Sequence, residues 1–165
     1  MFELKPISKK SIPSVLQKAE RYRLLNEPIE AECICLDVLD IEPDNRLALV
    51  TLILALTEQI ERRPQKKARE ARELLTRLAD PYSVAYFGGI IWERMAKASL
   101  KKGAPGSGHV AYGWFCEAMK CFDEAAELRE EGNDDALLRW NTCARLIDRN
   151  PSLVADDRSV EDMLE

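Results

Sequence analysis

The chain has 165 residues, 46% of them hydrophobic and 32% charged, an ordinary balance for a globular domain long enough to bury a core. The formal net charge is −5, but the last fifteen residues hold five acids and one base, so the rest of the chain is close to neutral. Nucleic-acid and anionic-membrane binding both depend on a field of clustered positive charge, so neither kind of partner is expected.

Two features of the sequence predict a cytoplasmic protein. The N-terminus lacks the apolar core of a secretion signal, and the longest apolar stretch, residues 47–56, is about half of a bilayer span. The five cysteines are odd in number, and Cys33 and Cys35 are at an offset that diverges around a helix. Cys116 and Cys121 diverge in the same way. The pattern is typical of packed thiols in a reducing compartment and predicts no metal, redox site or cofactor.

The first half of the sequence predicts four helices, because apolar residues recur at helical spacing between proline-containing breaks. Pro28 suits the first turn of the second helix, and Pro43 cannot continue it. Asp44 or Asn45 can then cap a third helix, predicted at residues 46–60. The third helix is almost wholly apolar for ten residues, so it must be covered on more than one side and is the expected centre of the core.

The second half predicts three helices and one glycine-rich break. A fifth helix at about residues 82–101 is separated by a loop at 103–108 from a sixth helix at 109–130. Gly132 stops the sixth helix before a seventh at 133–148. No segment alternates with period two for long enough to be a strand. The sequence therefore predicts an all-α protein of about seven helices, arranged as three helix hairpins and a closing helix.

A repeat pattern is clearest in residues 12–45, a unit of 34 residues. Ala19 and Tyr22 fall where a tetratricopeptide repeat places a small residue and an aromatic residue in its first helix. Ala31 and Pro43 fall where that repeat places its second small residue and its terminal proline. This unit resembles a tetratricopeptide repeat.

Two further units match the repeat pattern more loosely. Residues 46–81 have Ile53 where a small residue is expected, and residues 82–132 have Gly89 in place but a linker of about twice the usual length. Residues 133–148 would form a solitary capping helix. The predicted boundaries are 1–11 for an N-terminal extension, 12–148 for the tetratricopeptide-like domain and 149–165 for an acidic tail.

The resemblance implies a short right-handed superhelix whose first helices line a concave face that holds a peptide or a helix of a partner protein. Such a protein would be a non-catalytic adaptor or scaffold. The positions that correspond to this face are Leu16, Glu20, Arg23, Val50, Leu54, Glu58, Tyr86, Ile90 and Arg94.

The middle of that set is apolar, so an amphipathic segment is expected there in preference to a charged C-terminus. The alternative is that Val50, Leu54, Tyr86 and Ile90 are core residues covered by a later helix. An open apolar groove would also be a site for a second copy of the chain, so a homodimer is a further possibility.

The loop at residues 103–109 suggests an alternative function, a small-ligand or anion-binding module. Gly103 and Gly108 are spaced as in a phosphate loop, but His109 stands where the lysine should be, so nucleotide hydrolysis is not expected. Ser107 and His109 at the start of a helix would be the anion-binding groups. The simpler interpretation is a flexible connector between helices.

Catalysis is not expected from the candidate groups. His109 is the only histidine, so no second imidazole can share acid–base work or metal ligation. Cys116 is seven residues away, two helical turns, which is too far for a dyad. The basic run at residues 62–72 is interleaved with glutamates, so it predicts a solvated helix face or a docking site for the acidic tail.

Overall fold

The structure is a computed structural model that describes residues 2–155. Within that range the chain forms seven α-helices, one short 3-10 helix at Lys9–Ser11 and no strand, so the predicted all-α class with about seven helices is confirmed. The acids of the predicted tail, in residues 156–165, lie outside the described residues. The helices are α1 Ile12–Leu24, α2 Pro28–Ile41, α3 Arg46–Thr57, α4 Pro64–Leu75, α5 Pro81–Lys102, α6 Ser107–Leu128 and α7 Asp135–Arg149.

Proline and side-chain caps set several helix starts. Pro28 and Pro81 are the first residues of α2 and α5, where the missing N–H costs no hydrogen bond. Asn45 caps α3, because its Oδ1 accepts from the backbone N–H of Ala48 at 2.9 Å. These starts follow from local chemistry, so the sequence predicted them well.

Several predicted bounds differ from the structure by one to three residues; for example, α6 ends at Leu128 rather than at 130, and α7 begins at Asp135 rather than at 133. The third helix ends at Thr57 rather than near residue 60, because the chain tightens there, with Ile60 N–H donating to the Thr57 carbonyl at 3.3 Å. The sixth helix begins at Ser107 rather than at 109. Gly103 ends α5 and Gly106 precedes α6, both with positive φ (64° and 76°), so the connection is shorter than predicted.

The chain divides into two compact units, Met1–Ala79 and Asp80–Glu165. In unit 1, α3 packs against α1, α2 and α4, and α1 packs against α2. Eight of the twelve residues of α3 are buried, which places it at the centre of unit 1, as its apolar sequence predicted. Small side chains on its neighbours, including Ala19, Ala31 and Ala71, are fully buried and allow the close approach.

In unit 2, α5 and α6 pack along one another and α7 packs on α6. Helices α5 and α6 approach closely at Gly89, where an added Cβ would lie 2.5 Å from the Phe122 ring. A cluster of alanines on the three helices lets them come together: Ala85, Ala125, Ala126 and Ala136. None of the helices between residues 2 and 155 is long and apolar enough to cross a membrane.

Candidate functional site

The structure brings together the polar members of the predicted concave face that lie in unit 1. Arg23 Nη2 donates to Glu58 Oε1 at 2.7 Å, and Arg23 Nη1 donates to Glu20 Oε1 at 3.3 Å. The Thr51 hydroxyl also donates to Glu20, at 3.0 Å. These bonds tie α1 to α3, so the three charges already have partners inside the chain and a ligand would have to compete with them.

The apolar members in unit 1 offer little free surface. Leu16 is buried and belongs to the core, whereas Val50 and Leu54 are half-buried. The unit-1 part of the predicted face is therefore a polar network bordered by two partly covered aliphatic side chains.

The members in unit 2 are mostly used for packing. Ile90 is buried, in agreement with the alternative that it is core. Tyr86 stacks on Tyr82 at 5.7 Å between ring centroids and lies 6.1 Å from the Phe122 ring. Arg139 Nε donates to its hydroxyl at 3.3 Å. Tyr86 thus belongs to the packing of α5 with α6 and α7.

Arg94, the last predicted member, is half-buried on α5. Its Nε–H is buried and has no hydrogen-bond partner within the described residues. The neighbouring Glu93 is better satisfied: it is only 1% exposed, accepts from Arg139 Nη1 at 2.9 Å and pairs with Lys97. Sequence reasoning did not single out Glu93, because Arg139 lies 46 residues away.

The glycine-rich loop borders a cavity of about 530 Å³, lined also by Asn150, Ser152 and Val154. His109 Nδ1 is 3.0 Å from the Val154 carbonyl, so this nitrogen carries the proton and donates. Leu153 is buried, and a Cβ on Gly108 would lie 2.1 Å from the Ser152 carbonyl oxygen. The segment after α7 therefore packs against the start of α6. Its Val154 carbonyl accepts the hydrogen bond of His109, the residue on which the anion-binding prediction depended.

Unit 1 also has a groove that the sequence did not predict. Helices α2 and α4 both pack against α3, and between them lie two depressions of about 350 and 400 Å³ that share Glu32. We call this surface the α2–α4 groove. It is lined by Ile29, Glu32, Cys33, Leu36, Leu52, Leu56, Gln59, Arg62, Arg63, Lys67, Glu70, Glu73, Leu74 and Arg77.

The α2–α4 groove combines a buried apolar floor with exposed apolar side chains on its α2 wall. Leu52 and Leu56 of α3 are buried and form the floor. On α2, Leu36 is 48% exposed and Ile29 is 47% exposed, with Cys33 exposed between them. These residues recur at i, i+4 and i+7, so they form a second apolar line along α2. This line is the sequence pattern from which the groove could have been predicted.

One ion pair bridges the groove. Lys67 Nζ contacts the two Glu32 oxygens at 2.9 and 3.0 Å and a Glu70 oxygen at 3.0 Å. Desolvation by burial lowers the pKa of Lys67, but the hydrogen bonds to Glu32 and Glu70 outweigh it and leave the pKa raised. Arg77 also donates across the groove to the Pro43 carbonyl. Both contacts fix α4 against α2.

Three of the five thiols are poor nucleophiles. Burial raises the pKa of Cys35 and of Cys143 to about 12, and burial also raises the pKa of Cys121. A thiol that stays protonated at neutral pH neither attacks an electrophile nor binds a metal readily. Within residues 2–155 no group of three or more His, Cys, Asp or Glu side chains is arranged to hold a metal ion.

No protein-family model matches this chain, and no curated protein matches it. The functional interpretation therefore depends on the geometry of the two units themselves.

Proposed function

We propose that the chain is a non-catalytic protein-interaction adaptor built from tetratricopeptide-like helix hairpins. Two features support the family assignment: the 34-residue spacing of Ala19, Tyr22, Ala31 and Pro43, and the packing in unit 1. There each helix packs on the next, and α1 also packs on α3, as the first helices of successive hairpins do in tandem repeats.

The α2–α4 groove is the proposed partner site, in preference to the predicted concave face. The observation that supports it is the exposure of Leu36 and Ile29 beside a buried leucine floor. From Pro64 to Leu75 the wall formed by α4 spans about 17 Å at 1.5 Å per residue, room for about three turns of helix. An amphipathic helix with apolar anchors at i, i+4 and i+7 matches this shape.

The proposed location is the cytoplasm. Five cysteines without a disulfide, among them the buried Cys35 and Cys143, suit a reducing compartment. Neither a nucleic acid nor a membrane is proposed as partner, because the exposed bases of unit 1 are accompanied by glutamates.

The alternative function, anion binding by Ser107 and His109, has less support. His109 is hydrogen-bonded to the Val154 carbonyl, and Asn150, Ser152 and Val154 border the same cavity. An anion would therefore have to displace a segment that Leu153 anchors by its burial. A non-catalytic role is supported by two features: the hydrogen bond that occupies His109, and the high pKa of Cys35 and Cys143, which keeps these thiols protonated.

A site-specific photo-crosslinking experiment tests the proposed function. A photoreactive residue replaces Leu36 in the groove or, as a control, Leu138, which is 62% exposed on α7. We expect protein adducts in the native cell from position 36 and none from position 138. The adducts should disappear when Leu74→Glu is added on the opposite wall and persist when Leu138→Glu is added. A position-36 probe that captures no protein, or that is indifferent to Leu74→Glu, would refute the proposal.

A further inference from the structure

The α2–α4 groove has two unlike halves. The depression near the start of α4 is lined mostly by polar side chains, among them Arg62 and Arg63. The depression farther along α4 is lined by four leucines, one from each wall and two from the floor, together with charged side chains. A molecule that fills the whole groove therefore contacts a leucine-lined half and a half that contains two adjacent arginines.

The charged residues that line the groove differ in whether they have partners inside the chain. Most of them make a contact within unit 1: Glu32, Lys67, Glu70, Glu73 and Arg77. Arg62 and Arg63 differ, because both are exposed and neither side chain has an ion pair or a hydrogen bond among the described residues. The unpaired charge on the lining of the groove is therefore positive, and it lies at one end.

That end of the groove is where both walls begin. Arg63 immediately precedes α4, and Ile29, the second residue of α2, lines the same depression. The first turn of a helix carries a partial positive charge, which has the same sign as the two arginines. No acid on the lining is left unpaired to offset this charge, because Glu32 is held by Lys67.

A helix that fills the groove must cover this positive end. Covering Arg62 and Arg63 removes part of their water, and a charge that loses water without gaining a partner raises the free energy of the complex. A basic side chain placed over the arginines would add repulsion, and an apolar one would leave them unpaired. Only acidic side chains compensate for the lost hydration.

We infer that the partner of the α2–α4 groove is an amphipathic helix with acidic residues clustered at one end. The acidic end pairs with Arg62 and Arg63, and the apolar anchors contact the leucine half. The inference rests on the proposed function, because it states the chemistry of the protein that the groove binds.

Helix geometry fixes how far the acids lie from the anchors. From Ile29 to Leu36, α2 rises about 10 Å at 1.5 Å per residue. From Arg63 to Leu74, the chain along α4 rises about 16 Å. The acids of the partner are therefore expected about seven to eleven residues from the anchor that contacts Leu36 and Leu74.

Calorimetric titration of the full chain with synthetic helical peptides tests the inference. Two peptides carry leucines at i, i+4 and i+7 and a cluster of glutamates, at the N-terminal end in one and at the C-terminal end in the other, so that either orientation in the groove is sampled. Two matched peptides carry lysines in place of the glutamates. At low salt the tighter glutamate peptide should bind on the order of tenfold more strongly than either lysine peptide, and the difference should shrink as salt is raised.

The double variant Arg62→Glu, Arg63→Glu should reverse this preference, weakening the glutamate peptide and strengthening the lysine peptides. A folding defect would weaken all four peptides, so it cannot imitate a reversal. The control is Lys18→Glu, Arg21→Glu, which makes the same change in net charge at exposed positions of α1 outside the groove. It should keep the wild-type preference. Equal binding of glutamate and lysine peptides by the wild type, or a reversal in the control, would overturn the inference.

A second copy of the chain is the competing occupant of the groove. Sedimentation equilibrium without peptide separates the two, since Leu36→Glu should leave the oligomeric state of the chain unchanged. A dimer that dissociates when Leu36→Glu is introduced would assign the groove to a second copy and overturn the inference.

The crosslink at position 36 separates failure of this inference from failure of the proposed function. Mass spectrometry of the adduct locates the linked residue of the partner, and a helix with acids about seven to eleven residues from that residue supports both. An adduct that Leu74→Glu abolishes, but whose partner segment has no acids in that range, overturns the inference and leaves the adaptor function standing. Absence of any adduct refutes the adaptor function itself.

Discussion

At the scale of single residues, the Glu93 carboxylate is a buried charge that needs partners within the chain. It is almost fully buried, and a buried charge is tolerated only when it is paired and hydrogen-bonded. Arg139 and Lys97 supply those partners. Desolvation lowers the pKa of Arg139, but Glu93 and Tyr86 outweigh it and raise the pKa, so the guanidinium is held charged.

We predict that Glu93→Gln lowers the free energy of unfolding by about 2 kcal/mol, because it leaves Arg139 and Lys97 without their counter-ion in a partly buried site. Urea unfolding followed by circular dichroism measures the change. The control is Glu117→Gln, which breaks a 2.6 Å ion pair with Lys120 on the exposed surface and should change the free energy of unfolding much less. Equal costs for the two variants would show that Glu93 is not acting as a buried charge.

The buried thiols predict a loss of stability at high pH. Burial raises the pKa of Cys35 and Cys143 to about 12 in the folded chain, from a reference value of 9.0. Above about pH 9 the unfolded chain has therefore lost thiol protons that the folded chain retains. Because the unfolded state then binds fewer protons, the free energy of unfolding falls as pH rises towards about 12.

The double variant Cys35→Ala, Cys143→Ala should show a shallower decline of the free energy of unfolding between about pH 9 and pH 11 than the wild type. Denaturant unfolding at a series of pH values measures the slope. Cys33→Ala removes an exposed thiol and is the matched control substitution. If the double variant declines as steeply as the wild type, these two thiols do not cause the effect.

At the scale of the elements, the contact of α5 with α6 depends on Gly89. The nearest atoms to an added Cβ belong to the ring of Phe122, which is fully buried and has nowhere to move. Gly113, in the middle of α6, differs in that nothing lies within 4 Å of its Cβ position. Substitution at Gly89 therefore tests helix packing, whereas substitution at Gly113 tests intrinsic helix propensity alone.

We predict opposite effects of alanine at these positions. Gly89→Ala should lower the free energy of unfolding by about 1–3 kcal/mol, because α5 and α6 must move apart. Gly113→Ala should raise it by about 0.5–1 kcal/mol, because alanine restricts the unfolded chain and favours the helix. Thermal unfolding of the two variants provides the comparison. A stabilising Gly89→Ala would mean that α6 accommodates the methyl group without strain.

The helix starts show which bounds local sequence can determine. Pro28 and Asn45 act within one turn of the residue they occupy, so the beginnings of α2 and α3 were readable from sequence. The start of α6 was placed two residues late, because the left-handed Gly106 determines where the loop ends. A glycine permits that conformation without requiring it, so its sequence position alone does not fix the bound.

At the scale of the whole molecule, the division after Ala79 suggests that each unit has a core of its own. In unit 2 that core includes the alanine cluster of α5, α6 and α7 and the contact of Gly89 with Phe122. A unit whose helices bury their apolar faces against one another satisfies the main requirement for independent folding.

We predict that residues 80–165, expressed alone, unfold cooperatively on heating and retain the helical circular dichroism expected of three helices. Amide resonances of α5, α6 and α7 should overlay on those of the full chain wherever the residues pack within unit 2. A fragment with helical content but no cooperative transition would indicate that unit 2 depends on the rest of the chain.

The sequence by itself determined the helical class, the number of helices and the central position of α3. These depend on apolar periodicity, prolines and caps, each of which acts over one or two turns. The tertiary structure decided which charges meet, as in Arg23 with Glu58 and Lys67 with Glu32, pairs separated by 35 residues. It also decided that Tyr86 packs inside unit 2 and that α2 keeps an exposed apolar line beside α4. The physical reason is that a side chain's neighbours depend on which faces of distant helices pack together, and no local pattern specifies that choice.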